Sequence, residues 1–298
     1  MGVRGDVELV DAPELLPALA RLPGHMFWRA AARVDQTMEE FRPDGFDIYA
    51  YATLVALGEA EPRSQQAVAR SIGTSRTTLA RVAASLQAAG LVERVRNPGD
   101  RRSYLLTRTP AGIEAADLWQ QHALGLEDRL TAALSRAQTS ELRSLLVRAA
   151  APGLAEDTPA AMRASIGFLV HQIHLRMHPA FLQALRPLGI EPRHFGSLVS
   201  LQHISPAPQH ELARVMGVSG ASIVGIVDDL EARGLVERRR DEADRRAQIL
   251  TLRPGAPDTI GRAMSVSRDL HAAQLAELSP ADAERLVELL ATLVSVPG

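Results

Sequence analysis

Apolar residues recur every three or four positions along most of the chain, interrupted by short alternating stretches. In the N-terminal half Leu15, Leu19, Leu22, Met26, Phe27, Ala30, Val34 and Met38 share one stripe, which predicts a helix from Leu15 to Glu40 ending at Arg42-Pro43. Phe46 to Gly58 predicts a second helix. Ser64 is placed to cap a short third one that ends at Gly73, and Ser75 to cap a fourth whose stripe is Leu79, Val82 and Leu86 and whose end is Gly90. Two helices meeting at the tight Gly73-Thr74-Ser75 turn predict a helix-turn-helix. Leu91–Arg96 and Ser103–Thr107 then read as strands around the polar turn 97–102, a hairpin wing. Thr109-Pro110 opens a helix reaching about Ala133, and Thr139–Ala149 predicts a last one.

The pattern then runs through again at one constant offset. Gly73-Thr74-Ser75 answers Gly217-Val218-Ser219, Gly90-Leu91-Val92-Glu93-Arg94 answers Gly234-Leu235-Val236-Glu237-Arg238, and Asp100-Arg101-Arg102 answers Asp244-Arg245-Arg246. Helices are expected near 160–186, 191–203, 208–216, 219–233, 254–277 and 280–295, around a wing at 235–252. Two copies are too few for a solenoid, so the chain is expected to hold like domains at 1–150 and 160–298, joined by a linker at 151–159.

Composition narrows the class. The chain has 298 residues, 46% hydrophobic and 23% charged, as expected of two ordinary globular domains. No uncharged apolar run reaches the roughly 20 residues of a membrane helix, and no signal-type stretch follows Met1, so a cytoplasmic protein is expected. The absence of cysteine excludes disulfides, thiolate metal sites and thiol redox sensing. A net charge of −2 makes no case for nucleic acid by itself, so any such case rests on local charge.

The run from Ser75-Arg76-Thr77-Thr78 through Arg81 to Gly90-Leu91-Val92-Glu93-Arg94, then Asp100-Arg101-Arg102 and Thr109-Pro110-Ala111-Gly112, resembles the MarR family of bacterial transcription regulators, nearly along the whole chain and twice. The resemblance implies a mainly α fold with small β wings, and homodimers whose first and last two helices interlock while two recognition helices enter successive major grooves. One chain supplying both subunits would be a pseudo-dimer: two winged helix-turn-helix domains joined by an interlocked helical core.

The copies have diverged in charge. From Ser64 to Pro110 eight arginines face two acids, whereas from Pro208 to Pro254 eight arginines face eight acids. Phosphate neutralisation supplies most non-specific affinity, so the first head is expected to grip DNA more strongly. Arg76, Thr77 and Arg81 become Gly220, Ala221 and Gly225, so the second head has lost side chains that could read a guanine edge. The candidate DNA contacts are Ser75, Arg76, Thr77, Thr78, Arg81, Arg101 and Arg102, with Ser219, Ser222, Arg245 and Arg246 in the second head, which either reads a degenerate half-site or touches backbone and shape. Asp228 stands where the family often has an acid that steadies a wing arginine, and Ala84 replaces it in the first copy.

Two further groups have competing readings. Phe27, Trp28, Tyr51 and Trp119 either line a cavity for a small aromatic effector, as the resemblance implies, or pack the core. His171, His174 and His178 lie at helical spacing on one face, open to a small molecule, a metal, a haem, or simply a polar seam. No carboxylate accompanies them on that helix, and neither metal nor cofactor is assigned. No catalytic constellation stands at a useful spacing, so no enzyme is expected. The expectation is a ligand-responsive repressor, a single-chain pseudo-dimer binding double-stranded operator DNA as an imperfect palindrome and released by a small aromatic effector. The alternative is a ligand-sequestering or resistance protein that has lost most DNA binding.

Overall fold

The computed structural model describes residues 15–41, 47–58, 62–240 and 248–295, with Arg101 described by its backbone alone. The first copy runs α1 (Pro17–Ala20), α2 (Pro23–Glu40), α3 (Ile48–Gly58), α4 (Gln65–Ser71), α5 (Arg76–Ala88), β1 (Val92–Asn97), β2 (Asp100–Arg108), α6 (Pro110–Leu130) and α7 (Arg136–Ala150). The second runs α8 (Ala160–Ala164), α9 (Ile166–Leu185), α10 (Pro192–Ile204), β3 (Ala207–Pro208), α11 (Gln209–Met216), α12 (Gly220–Ala232), β4 (Val236–Arg240), β5 (Gln248–Leu252), α13 (Ala256–Gln274) and α14 (Pro280–Val294). No helix among the described residues is long and apolar enough to cross a membrane. The expected helix start at Phe46 and the stop at Arg42-Pro43 lie outside the described residues.

The chain forms two compact units, and their borders differ from those of the repeat. Arg33–Gln172 make one unit; the described residues up to Ala32 join those from Ile173 onward in the other. The helix expected over Leu15–Glu40 is broken at Arg21-Leu22, because Pro23 has no amide to donate and disfavours helical backbone at Leu22. Its fully buried Leu19, with Leu22, enters the core of the second head beside Leu198, Val199 and Leu201 of α10. A buried leucine contributes about 1.5–3 kcal/mol, enough to commit this segment to that core. The helix expected at 160–186 is likewise divided, at Ser165, whose hydroxyl accepts from the Phe168 amide at 3.2 Å and restarts the chain as α9.

The first head packs α3, α4, α5 and α6 around Leu54, Leu79, Val82, Leu86, Val92 and Leu106. Its wing is an antiparallel pair in which Val92 faces Arg108 and Arg94 faces Leu106. The second head repeats this around Leu212, Ile223, Ile226, Leu230, Val236 and Leu250, with Val236 opposite Leu252 and Arg238 opposite Leu250. There β3 adds a third strand, pairing Ala207 with Leu250, where the first head has only a bridge from Arg63 to Leu106. The expected linker is ordered by Arg163, whose guanidinium donates to the carbonyls of Ala155, Glu156 and Thr158 at 2.6, 3.0 and 2.9 Å.

In the first head the wing returns to the long α6 through one close junction. Thr109 donates its amide to the Leu91 carbonyl at 3.1 Å and its hydroxyl to the Gly90 carbonyl at 2.7 Å, while that hydroxyl accepts from the Gly112 amide. A Cβ on Gly112 would stand 2.0 Å from the Leu91 carbonyl oxygen, so only glycine fits. Gly225, in the interior of α12, is the opposite case: a Cβ there would meet nothing within 4 Å. Gly112→Ala is therefore expected to lower unfolding free energy by about 1–3 kcal/mol, whereas Gly225→Ala raises it by up to about 1 kcal/mol. Urea titrations of the two variants read both directions.

Candidate nucleic-acid interface

Each recognition helix is set by a serine cap after a left-handed glycine. In the first head Gly73 turns the chain at φ +61°, and the Ser75 hydroxyl accepts from the Thr78 amide at 3.0 Å and touches the Thr78 hydroxyl at 2.9 Å. The second head repeats this: Gly217 turns at φ +65°, and Ser219 accepts from the Ser222 amide at 3.2 Å. Ser75 and Ser219 are therefore occupied as helix caps, and Thr78 and Ser222, whose amides donate to them, have their hydroxyls against the same capping oxygens. Burying Leu79, Val82 and Leu86 leaves Arg76, Thr77 and Arg81 on the exposed face of α5. In α12 the same geometry exposes Gly220, Ala221, Val224 and Gly225.

The wing tip of the first head is tied by its own polar groups. Asn97 accepts from the Gly99 amide at 2.9 Å and donates to the Ser103 hydroxyl at 3.0 Å, and Asp100 accepts from the Arg102 amide at 3.0 Å. The Asp100 carboxylate thus serves the turn, and the Arg102 side chain stays exposed. Arg245 and Arg246, the expected counterparts, lie outside the described residues, as does the side chain of Arg101.

Ion pairing separates the heads more sharply than the charge count does. Among the described residues Arg76, Arg81, Arg94, Arg96 and Arg102 have no acidic partner, and all five are exposed. Arg70 lies 3.8 Å from Asp157, and the Arg108 guanidinium packs on Gly58. In the second head Arg214 pairs with Glu211, Arg239 with Glu237 at 2.7 Å, Arg253 with Glu237 at 3.9 Å and Arg233 with Asp229 at 3.8 Å. Asp228 takes Arg238, the first arginine of its wing strand, which also meets Glu231 at 3.2 Å. Arg94 and Arg96 enter the local charge excess in the sequence, but their freedom shows only once the acids nearby are placed.

The other candidates divide between the two units. Phe27 is fully buried and Trp28 packs on the core of the second head; Tyr51 is buried and Trp119 packs on the core of the first. The three histidines divide as well. His171 belongs to the first head's unit, with Nε2 3.2 Å from Asp35, whereas His174 and His178 belong to the other, their rings 5.4 Å apart. Burial pushes the His178 imidazole below its ordinary value, opposed by Glu191. Among the described residues no three His, Asp or Glu side chains gather closely enough to hold a metal ion.

Two histidines without such regular spacing are the more strongly perturbed. His271, buried on α13, has Nδ1 3.1 Å from the Ser267 hydroxyl and its ring against Phe181 and Gly24. Burial lowers its pKa from 6.5 to about 4. His25, on α2 beside Trp28, is lowered to about 3 by burial and then by Arg29, itself buried and donating to the Met216 carbonyl at 3.2 Å. A single histidine in a helical stripe carries no sequence signal of this kind, and for His271 the covering groups, Phe181 and Gly24, are distant along the chain. Between pH 6.5 and about 4 an unfolded His271 takes up a proton that the folded one refuses, so stability declines as pH falls through that window. The slope from this group is at most about 1.4 kcal/mol per pH unit. Denaturant midpoints at pH 7, 6 and 5 should fall in turn, and less steeply in His271→Gln.

Comparison with known proteins follows the two heads. The family model described as MarR family matches residues 45–103 and again 188–247. A probable transcriptional regulator from Pseudomonas aeruginosa is 32% identical over 42% of this chain and 94% of its own, with a TM-score of 0.40. The transcriptional repressor CouR bound to a 23-mer DNA duplex is 32% identical over 39% of this chain and 82% of its own, with a TM-score of 0.37. CouR from Rhodococcus jostii RHA1 bound to p-coumaroyl-CoA is 30% identical over 38% and 80%, with a TM-score of 0.35.

Proposed function

We propose that this chain, which belongs to the MarR family of transcriptional regulators, is a repressor that works as a single-chain pseudo-dimer on an imperfect palindrome. The observation that carries the reading is the set of exposed arginines without a described acidic partner on one recognition helix and its wing: Arg76, Arg81, Arg94, Arg96 and Arg102. Guanidinium groups at the start of a recognition helix can reach guanine O6 and N7, and those on a wing can neutralise phosphates. Ser75, Thr77 and Thr78 complete that end of α5, and Arg101 belongs to the same wing tip by sequence. The second head, self-neutralised and carrying Gly220, Ala221 and Gly225, adds Ser219, Ser222 and the wing pair Arg245-Arg246, and reads its half-site weakly.

Release follows from a population shift. Two heads engage successive major grooves only when their spacing suits about 34 Å of duplex. An effector that prefers another spacing by a few kcal/mol empties the operator. The DNA and p-coumaroyl-CoA bound by CouR illustrate both halves of such a cycle in a relative. In this chain the effector is a small aromatic molecule, and its candidate contacts are Phe27, Trp28, Tyr51 and Trp119, together with His171, His174 and His178.

The decisive experiment is a titration of the purified chain against its own upstream DNA at low and moderate salt. Binding of one chain per site that weakens steeply with salt is expected. Arg81→Ala or Arg102→Ala should weaken it about tenfold, and the footprint should be asymmetric. Absence of any shift at low salt, with tight capture of an aromatic molecule, would instead make this a ligand-sequestering protein, a reading the neutral second head favours.

A further inference from the structure

We infer that Arg29 of α2 is a positioning residue for the second head: its guanidinium holds the turn between α11 and α12 in the pose that α12 takes on DNA. The inference rests on the DNA-binding reading above and adds to it a residue outside the recognition helices and wings.

Gly217 reverses the chain at φ +65°, and the amides of Gly217 and Val218 go to the carbonyls of Arg214 and Ala213 at 3.1 and 3.0 Å. Met216, the last residue of α11, is left with a carbonyl that no backbone amide meets among the described residues. Arg29 Nη1 donates to it at 3.2 Å. A cation at this end of a helix also meets the negative pole of its dipole. The Met216 side chain is fixed as well: Sδ accepts from the Ser200 hydroxyl at 3.3 Å, and its methyl packs on Gly196 of α10. Three residues on, Ser219 caps α12, so a rotation of the Met216 carbonyl carries directly into the start of the recognition helix.

Packing alone does not call for a guanidinium there. Arg29 is only 8% exposed, has no acidic partner among the described residues, and is drawn below the ordinary guanidinium pKa by burial. A buried charge with one neutral acceptor loses more solvation than it regains, and an apolar side chain of similar size commonly serves a fold as well. The repeat supplies that comparison: the residue answering Arg29 is Ile173, fully buried and with no donor on its side chain. In the first head the turn meets the side-chain amide of Gln172 instead, 3.5 Å from the Gly73 carbonyl. What a directed donor supplies and an apolar contact does not is one orientation of the carbonyl it meets. That matters most in the second head, whose described arginines are mostly answered by acids, so its hold on DNA depends on the fit of α12.

The test uses the full chain and its own upstream DNA at low salt, reading hydroxyl-radical footprints together with hydrogen exchange and urea titration of the free chain. Arg29→Met keeps the bulk and removes the donor. It is expected to erase protection of one half-site, to speed exchange over 217–222 several-fold, and to leave the urea midpoint close to that of the wild type. The half-site lost should be the one that Arg81→Ala, in the first head, leaves protected. Arg29→Lys, which can still donate, should restore the protection and slow the exchange. Full protection of both half-sites by Arg29→Met overturns the inference. Loss of both half-sites with a lowered midpoint also overturns it, since that marks general destabilisation. A wild-type chain that leaves no footprint overturns the DNA-binding reading and the pose with it, and unchanged exchange in Arg29→Met overturns the hold on the turn by itself.

Discussion

The exposed arginine face of the first head depends on one backbone junction, where the chain leaving α5 at Gly90-Leu91 meets the start of α6 at Thr109-Gly112. The Leu91 carbonyl accepts from the Thr109 amide and lies so close to Gly112 that no side chain fits between them. The wing hangs from this junction, so its angle to the recognition helix, and with it the placement of Arg94, Arg96 and Arg102, follows from two hydrogen bonds and one missing Cβ. The second head retains the first bond, from the Arg253 amide to the Leu235 carbonyl at 3.0 Å. It has Ala256 in place of Gly112 and Gly255 as the helix cap in place of a serine or threonine, so that junction is built differently although the strand register is kept.

On that scaffold, charge is sorted by pairing rather than by number. Both heads carry eight arginines over equivalent stretches, yet those of the second are mostly answered within the head itself. Surface pairs of this kind contribute little to stability, commonly below about 1 kcal/mol. On the DNA-binding reading their effect is larger, because each answered arginine offers a polyanion less free charge. Among the described residues the duplicated chain thus repeats one fold and leaves more of its arginines without an acidic partner in the first copy than in the second, a divergence unavailable to a homodimer whose two heads share one sequence.

Buried titratable groups show the same asymmetry. Glu127 of α6 and His271 of α13 occupy equivalent positions in the repeat, and both are desolvated. Glu127 accepts from the Ile166 amide at 2.8 Å and so caps the start of α9, with Arg143 nearby to offset its raised pKa. His271 is held by Ser267 and packs against Gly24 near the start of α2. One position of the fold has therefore become a carboxyl helix cap in one unit and a buried imidazole in the other, which ties the acid stability of the second unit to a group the first lacks.

Much of this was legible before any coordinates. The serine caps at 64, 75 and 219, the glycine turns, the wing strands and the duplication are written within a few residues of one another, since capping and periodicity are local properties of the backbone. The charge excess of the first head is likewise a property of composition. Only packing decided which arginines stay free, because the acids that hold Arg238 come from another element and are brought to it by the angle between wing and helix. Packing also decided that Leu19 and Leu22 join the core of the second head rather than of their own copy: an apolar stripe specifies that a helix must be covered, but not by what. The need for glycine at 112 and the low pKa of His271 arise in the same way, from atoms far away along the chain that only the folded molecule brings within contact.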